Sequence, residues 1–157
     1  MTDNASSSAN RSATYIVSGG ASRLGAAFVR RISKAGNNVI MGDLDEAAGA
    51  KIADEFGESV MFCRCDVRRD EDLASLVQCA TDVFGGLDGI VNNAVSYLDN
   101  GIASSRADWH AAFDVTLFGG AVLLAKALPS LTESPSAAVV NVSSIAAKVA
   151  QRNRALY

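Results

Sequence analysis

An α/β fold with a doubly wound parallel sheet is the class this sequence predicts. Two observations carry the prediction. Apolar runs of four to seven residues alternate with longer amphipathic stretches along the whole chain, the pattern of repeated βαβ units. A glycine-rich turn, "SGGASRLG" over residues 18–25, lies between the first apolar run and the first amphipathic stretch. The right-handed crossover rule then leaves few topologies.

The elements follow in order. Residues 13–17, "ATYIV", predict the first strand. Residues 22–36 predict a helix, with Leu24, Phe28 and Ile32 at helical spacing and Gly36 as its stop. "NVIM" at 38–41 is the second strand. Residues 45–57 predict the second helix, with acids in its first turn and Gly57 behind it. "SVMFCRC" at 59–65 is the third strand. Residues 69–85 predict the third helix, whose apolar face is Leu73, Leu76, Val77, Ala80 and Phe84. "LDGIVNNA" holds the fourth strand. A long helix is expected over 105–128, with Trp109, Phe113, Leu117 and Leu124 as core contacts and Pro129 at its end. "SAAVVNV" at 136–142 is the fifth strand.

The chain has 157 residues, 49% hydrophobic and 20% charged, enough for one domain with a core. Residues 1–12 are polar without an apolar stretch and read as a disordered tail rather than a signal peptide. The domain proper is therefore 13–157. A net charge of −3 argues against a nucleic-acid partner. No long apolar run is apparent, so no membrane span is expected. Three cysteines without a secretion signal suggest free thiols in a reducing, cytoplasmic setting. Cys63 and Cys65 read as small buried residues on one side of a strand, and no metal site is expected. His110 is the only histidine, which excludes multi-histidine metal sites and His-based triads.

The glycine turn has two readings. Glycines let a backbone approach a phosphate at a helix N-terminus. A tight strand-to-helix packing turn explains Gly19 and Gly25 equally without a ligand. The spacing is G-x-x-x-x-x-G, not G-x-G-x-x-G, with Arg23 where a middle glycine is usual. Asp43 strengthens the first reading. It ends the second strand 24 residues after Gly19, where a Rossmann-type site places the carboxylate for the adenosine ribose. Asp45 suffices to cap the second helix and leaves Asp43 free. Asp43 favours NAD over NADP, whereas Arg23, a guanidinium suited to a 2′-phosphate, points the other way.

With these residues in view, the chain resembles the short-chain dehydrogenase/reductase family of the Tyr-x-x-x-Lys type. "SGGASRLG" is similar to its T-G-x-x-x-G-x-G loop, with Ser18 for Thr and Arg23 for the middle Gly; Ser22, Leu24 and Gly25 complete it. "CDV" resembles the adenine-contacting pair, giving Asp66 and Val67. "NNAV" resembles N-N-A-G, with Asn93 inside it and Val95 for Gly. "NVSS" resembles the segment ending in the catalytic serine, Ser144, and Tyr157 lies 13 residues on, at the family's spacing.

The resemblance implies an NAD(P)-dependent oxidoreductase that interconverts a small-molecule alcohol and ketone by hydride transfer. Ser144 would hold the substrate oxygen and Tyr157 would be the general acid/base. A homo-oligomer is implied for the full-length form. The family's relay asparagine falls at Thr116. Its lysine four residues past the tyrosine is absent because the chain stops at Tyr157. The expectation is a Rossmann domain truncated on its C-terminal side, strands one to five present, with little or no catalysis alone. Its fifth strand would be an unpaired edge, prone to association. A non-catalytic nucleotide-binding protein and an interaction fragment are the alternatives. Only residues 95–105 reach toward a substrate pocket, and Tyr97 and Leu98 suggest a partly apolar wall.

Overall fold

The structure, a computed structural model, describes residues 11–149, 151, 152, 154 and 155. Tyr157 lies outside the described residues.

Five parallel strands form one sheet in the order β3-β2-β1-β4-β5. They are β1 (Thr14–Ser18), β2 (Asn38–Asp43), β3 (Val60–Arg64), β4 (Gly89–Asn92) and β5 (Ala138–Asn141). Each differs from its predicted span by a residue or two. β1 is central, paired with β2 and β4 in register Ile16 to Ile40 and Ile16 to Ile90. The strands' pleat divides their apolar residues between two cores. Ile16, Ile40 and Ile90 join Leu73, Leu76, Leu123, Ala127 and Leu131 on one face. Val17, Val39, Met41 and Val91 join Ala26, Val29 and Ile52 on the other. Continuous apolar runs are therefore required, because both faces are covered.

Helix α1 (Arg23–Lys34) is capped by Ser22, whose hydroxyl accepts from the Gly25 N–H. Its buried stripe is Gly25, Ala26 and Val29, not the predicted Leu24, Phe28 and Ile32. Phe28 and Ile32 pack at the core margin, while Leu24 is half exposed. Asp45 caps α2 (Glu46–Asp54) as expected. Helix α3 (Asp70–Phe84) carries three acids in its first turn and ends at Gly85.

The predicted helix over 105–128 needs correction. It is a composite of α4 (Arg106–Phe113), a π-helical turn (Asp114–Phe118) and α5 (Gly119–Thr132). A π turn inserts one extra residue per turn, so a stripe counted at 3.6 residues slips across it. Its buried positions are Ala112, Gly119, Leu123, Ala127 and Leu131, whereas Phe113 and Leu117 face outward. Trp109 is half-buried and packs its ring against Phe113. Pro129 does not end the helix but sits inside α5. Ala125, whose carbonyl loses its intrahelical donor there, is exposed, so water can replace the missing bond.

The run Arg106–Thr132 is also long and apolar enough, by length and composition, to cross a membrane. That corrects the expectation of no long apolar run. Its buried stripe lies in the core shared with α3 and the sheet, so it serves as a layer of this fold. At the other end, Arg11 belongs to the predicted tail but is bonded to Asp88 at 2.7 Å.

Candidate active site

The C-terminal ends of β1, β2, β4 and β5 converge on the glycine turn, where an open α/β sheet places its ligands. Gly19 adopts φ +64°, and a Cβ there would lie 2.9 Å from the Ala94 Cα. Gly25 is tighter: a Cβ would meet the Gly19 carbonyl oxygen at 2.0 Å. The packing-turn reading of the two glycines is thus correct as far as it goes. They bring α1 against the loop, and its first residues, Arg23 and Leu24, are exposed.

Asn93 holds this loop. Its amide nitrogen donates to the carbonyls of Ser18 (3.1 Å) and Gly19 (2.9 Å) and to Ser22 Oγ (3.2 Å). In return Ser18 Oγ accepts from the N–H groups of Asn93 and Ala94. Asn93, predicted to touch cofactor, is 7% exposed and acts by positioning the turn. Asp43 is likewise engaged, accepting from the Ala21 N–H at 2.9 Å and the Asp45 N–H at 3.1 Å. It keeps lone pairs for further donors, since a carboxylate accepts at about four sites. Asp66 is gripped by Arg68, which holds its carboxyl below the usual range, while burial opposes the shift. Val67 packs its carbonyl and side chain against Gly119.

A cavity of about 660 Å³ opens beside the turn. Ser22, Arg23, Leu24, Asn93 and Ser144 all line it. Five of the predicted site residues are thereby brought together, although more than a hundred residues separate the loop from the serine. Gly19, Gly25, Asp43, Asp66 and Val67 do not line this cavity. Val67 lines a second, neighbouring one of about 390 Å³. Ser144 Oγ accepts from the Ala146 N–H at 3.1 Å and caps a 3-10 turn, Ile145–Ala147. Thr116 sits on the π turn and borders both cavities. Its hydroxyl accepts from the Ser96 N–H at 3.3 Å. Val95 and Tyr97 complete the apolar side.

Sequence reasoning missed a polar pair at the sheet end. Asn92 and Asn141 are register partners on β4 and β5, and the Asn92 amide donates to Asn141 Oδ1 at 2.8 Å. Asn92 Oδ1 is buried without a partner among the described residues. The available signal was an asparagine closing each apolar run. The cysteines lie elsewhere. Cys63 Sγ is 3.6 Å from Cys79 Sγ, and burial pushes the Cys63 and Cys65 thiols up to about 12. Among the described residues no group of three His, Cys, Asp or Glu is placed to hold a metal.

The sequence profile described as short chain dehydrogenase matches residues 13–157. The chain belongs to the short chain dehydrogenase family. It is 34% identical over 152 residues to a cis-4-hydroxycyclohexanecarboxylate dehydrogenase of Sinomonas cyclohexanicum, covering 90% of this chain and 59% of the relative. It is 31% identical to the 3-hydroxyacyl-CoA dehydrogenase type-2 of Drosophila melanogaster, covering 94% and 63%. Among solved structures, a short-chain dehydrogenase/reductase of Brucella melitensis superposes with TM-score 0.87 at 28% identity, covering 92% and 62%. One from Burkholderia phymatum in complex with NAD gives TM-score 0.87 at 26% identity, covering 94% and 54%. The chain thus spans about three fifths of the length of these two curated relatives. As in other short chain dehydrogenases, one parallel sheet carries helices on both faces.

Proposed function

We propose that this chain forms the NAD(P)-binding part of an oxidoreductase that interconverts an alcohol and a ketone by hydride transfer, with NAD preferred. The observation that carries the reading is the shared cavity: the Ser22–Arg23–Leu24 turn and Ser144 face one space of about 660 Å³.

The residues present fit a dinucleotide. The turn would hold the phosphates, because Gly19 and Gly25 leave no side chain between the α1 N-terminus and the loop backbone. Asp43 would accept from the adenosine ribose and repel a 2′-phosphate. Asp66 and Val67 would border the adenine. The nicotinamide, when bound, supplies the hydride acceptor or donor. The chain's own residues do the remaining work. Ser144 presents its hydroxyl to the substrate oxygen. Tyr157 would move the proton at that oxygen, a role drawn from the family resemblance. An ordinary tyrosine has a pKa of about 10, so this role needs a nearby cation to bring it toward neutrality. Val95, Tyr97 and the wall beside them suit a small, partly apolar alcohol or ketone. The names of the two curated relatives, both dehydrogenases of hydroxylated compounds, support that substrate class.

Fluorescence titration of NADH with this polypeptide tests the reading. A saturable enhancement below millimolar concentration is expected. No response at millimolar NADH would overturn it.

A further inference from the structure

Arg23 stands where the family loop has its middle glycine, and its sequence position left two opposed readings. It is the first residue of α1 and is exposed. Among the described residues lining the cavity of about 660 Å³ it is the only charged one. Like Arg31, Arg106 and Arg152 it has no ion-pair or hydrogen-bond partner among the described residues, whereas Arg11, Arg30, Arg64, Arg68 and Arg69 each meet a carboxylate; of the unpaired arginines only Arg23 lines this cavity. An unpaired cation facing an otherwise uncharged cavity favours an anionic ligand group there.

Which anion follows from placement. Asp43 does not line this cavity; it ends β2 and is tied to the Ala21 N–H. A 2′-phosphate belongs to the adenosine ribose, beside that carboxylate. Arg23 instead shares its cavity with Asn93, Tyr97 and Ser144, the side that the proposed function gives to the nicotinamide. We infer that Arg23 is a cofactor-anchoring residue that pairs with the diphosphate bridge of the dinucleotide, and that it does not select for a 2′-phosphate. The inference rests on the nucleotide-binding reading above. It assigns to a side chain the phosphate attraction that a glycine loop usually leaves to backbone N–H groups.

The test is equilibrium binding of four probes to the full chain and to Arg23→Gln and Arg23→Lys: NADH, NADPH, ADP-ribose and adenosine. Far-UV circular dichroism checks that the variants remain folded, as expected for an exposed position. Arg23→Gln is expected to weaken NADH, NADPH and ADP-ribose alike, by about tenfold, and to leave adenosine unchanged. The salt dependence of NADH binding should fall, and Arg23→Lys should recover most of the affinity. A loss confined to NADPH would overturn the inference in favour of the 2′-phosphate. Unchanged NADH affinity in Arg23→Gln would overturn it as well. No binding of any probe by the unaltered chain would instead remove the nucleotide-binding reading on which it stands.

Discussion

Just before β4, Asp88 accepts from three residues. Arg11 Nη1 donates to it at 2.7 Å, the Thr14 N–H at 2.8 Å and Ser134 Oγ at 2.7 Å. The residue is 4% exposed. Burial draws its carboxyl upward, but the donors from Arg11, Thr14 and Ser134 outweigh it, and the folded pKa lies below the ordinary value. Asp88 therefore contributes stability above its unfolded pKa of about 3.9, and that contribution is lost as pH falls through the lower folded value. Asp88→Ala should cost about 2–4 kcal/mol in urea unfolding at neutral pH, because the Thr14 N–H is left buried and unpaired. Asp88→Asn should flatten the loss of stability as pH falls below about 4, since the titrating carboxyl is gone. An acid limb unchanged by Asp88→Asn would assign the pH dependence to other carboxylates.

The composite helix shows how an element defeats periodicity. A stripe counted at constant spacing runs through Phe113 and Leu117, yet both are exposed, at 42% and 55%. The π turn at Asp114–Phe118 shifts the helix by one residue and puts Leu123 in the core instead. No residue type announces a π turn, because it arises where packing on both sides fixes the helix ends. Here Gly119 is the pin: a Cβ on it would lie 2.8 Å from the Val67 carbonyl oxygen. Two substitutions separate the readings. Leu123→Ala should cost about 2–5 kcal/mol of stability, as a fully buried leucine does. Leu117→Ala should stay within about 0.5 kcal/mol. Equal effects of the two in thermal unfolding would contradict the observed register. The same turn carries Thr116 to the cavity, so the feature that misled the core assignment also shapes the site.

At the scale of the molecule, β5 is an edge strand paired only with β4 among the described residues. Val139 and Val140 are 39% and 47% exposed, and all four β5 residues are solvent-accessible. An apolar open edge invites pairing with another chain. Val140→Lys places a charge on that edge and should lower the apparent mass in size-exclusion chromatography at concentrations where the unaltered chain associates. A monomer with valine, or no change on substitution, would show that the edge does not drive association.

The alternation of apolar runs with amphipathic stretches, and the helix punctuation at Gly36, Asp45 and Gly57, were sufficient by themselves to predict the parallel α/β class and the succession of its five strands along the chain. Both rest on local forces, pleat, helical period and capping, which act between near neighbours in the chain. The landmarks of the short chain dehydrogenase family were legible for a related reason: each loop motif is tied to the end of a strand. Only tertiary structure decided that Asn93 braces the turn, that Ser144 faces it, and that Arg23 and Asp43 part company across it. Those relations depend on strands β1, β4 and β5 lying side by side, and sequence distance carries no measure of it. The stripe of the long helix was decided there too, by a single extra residue that packing, not propensity, inserts.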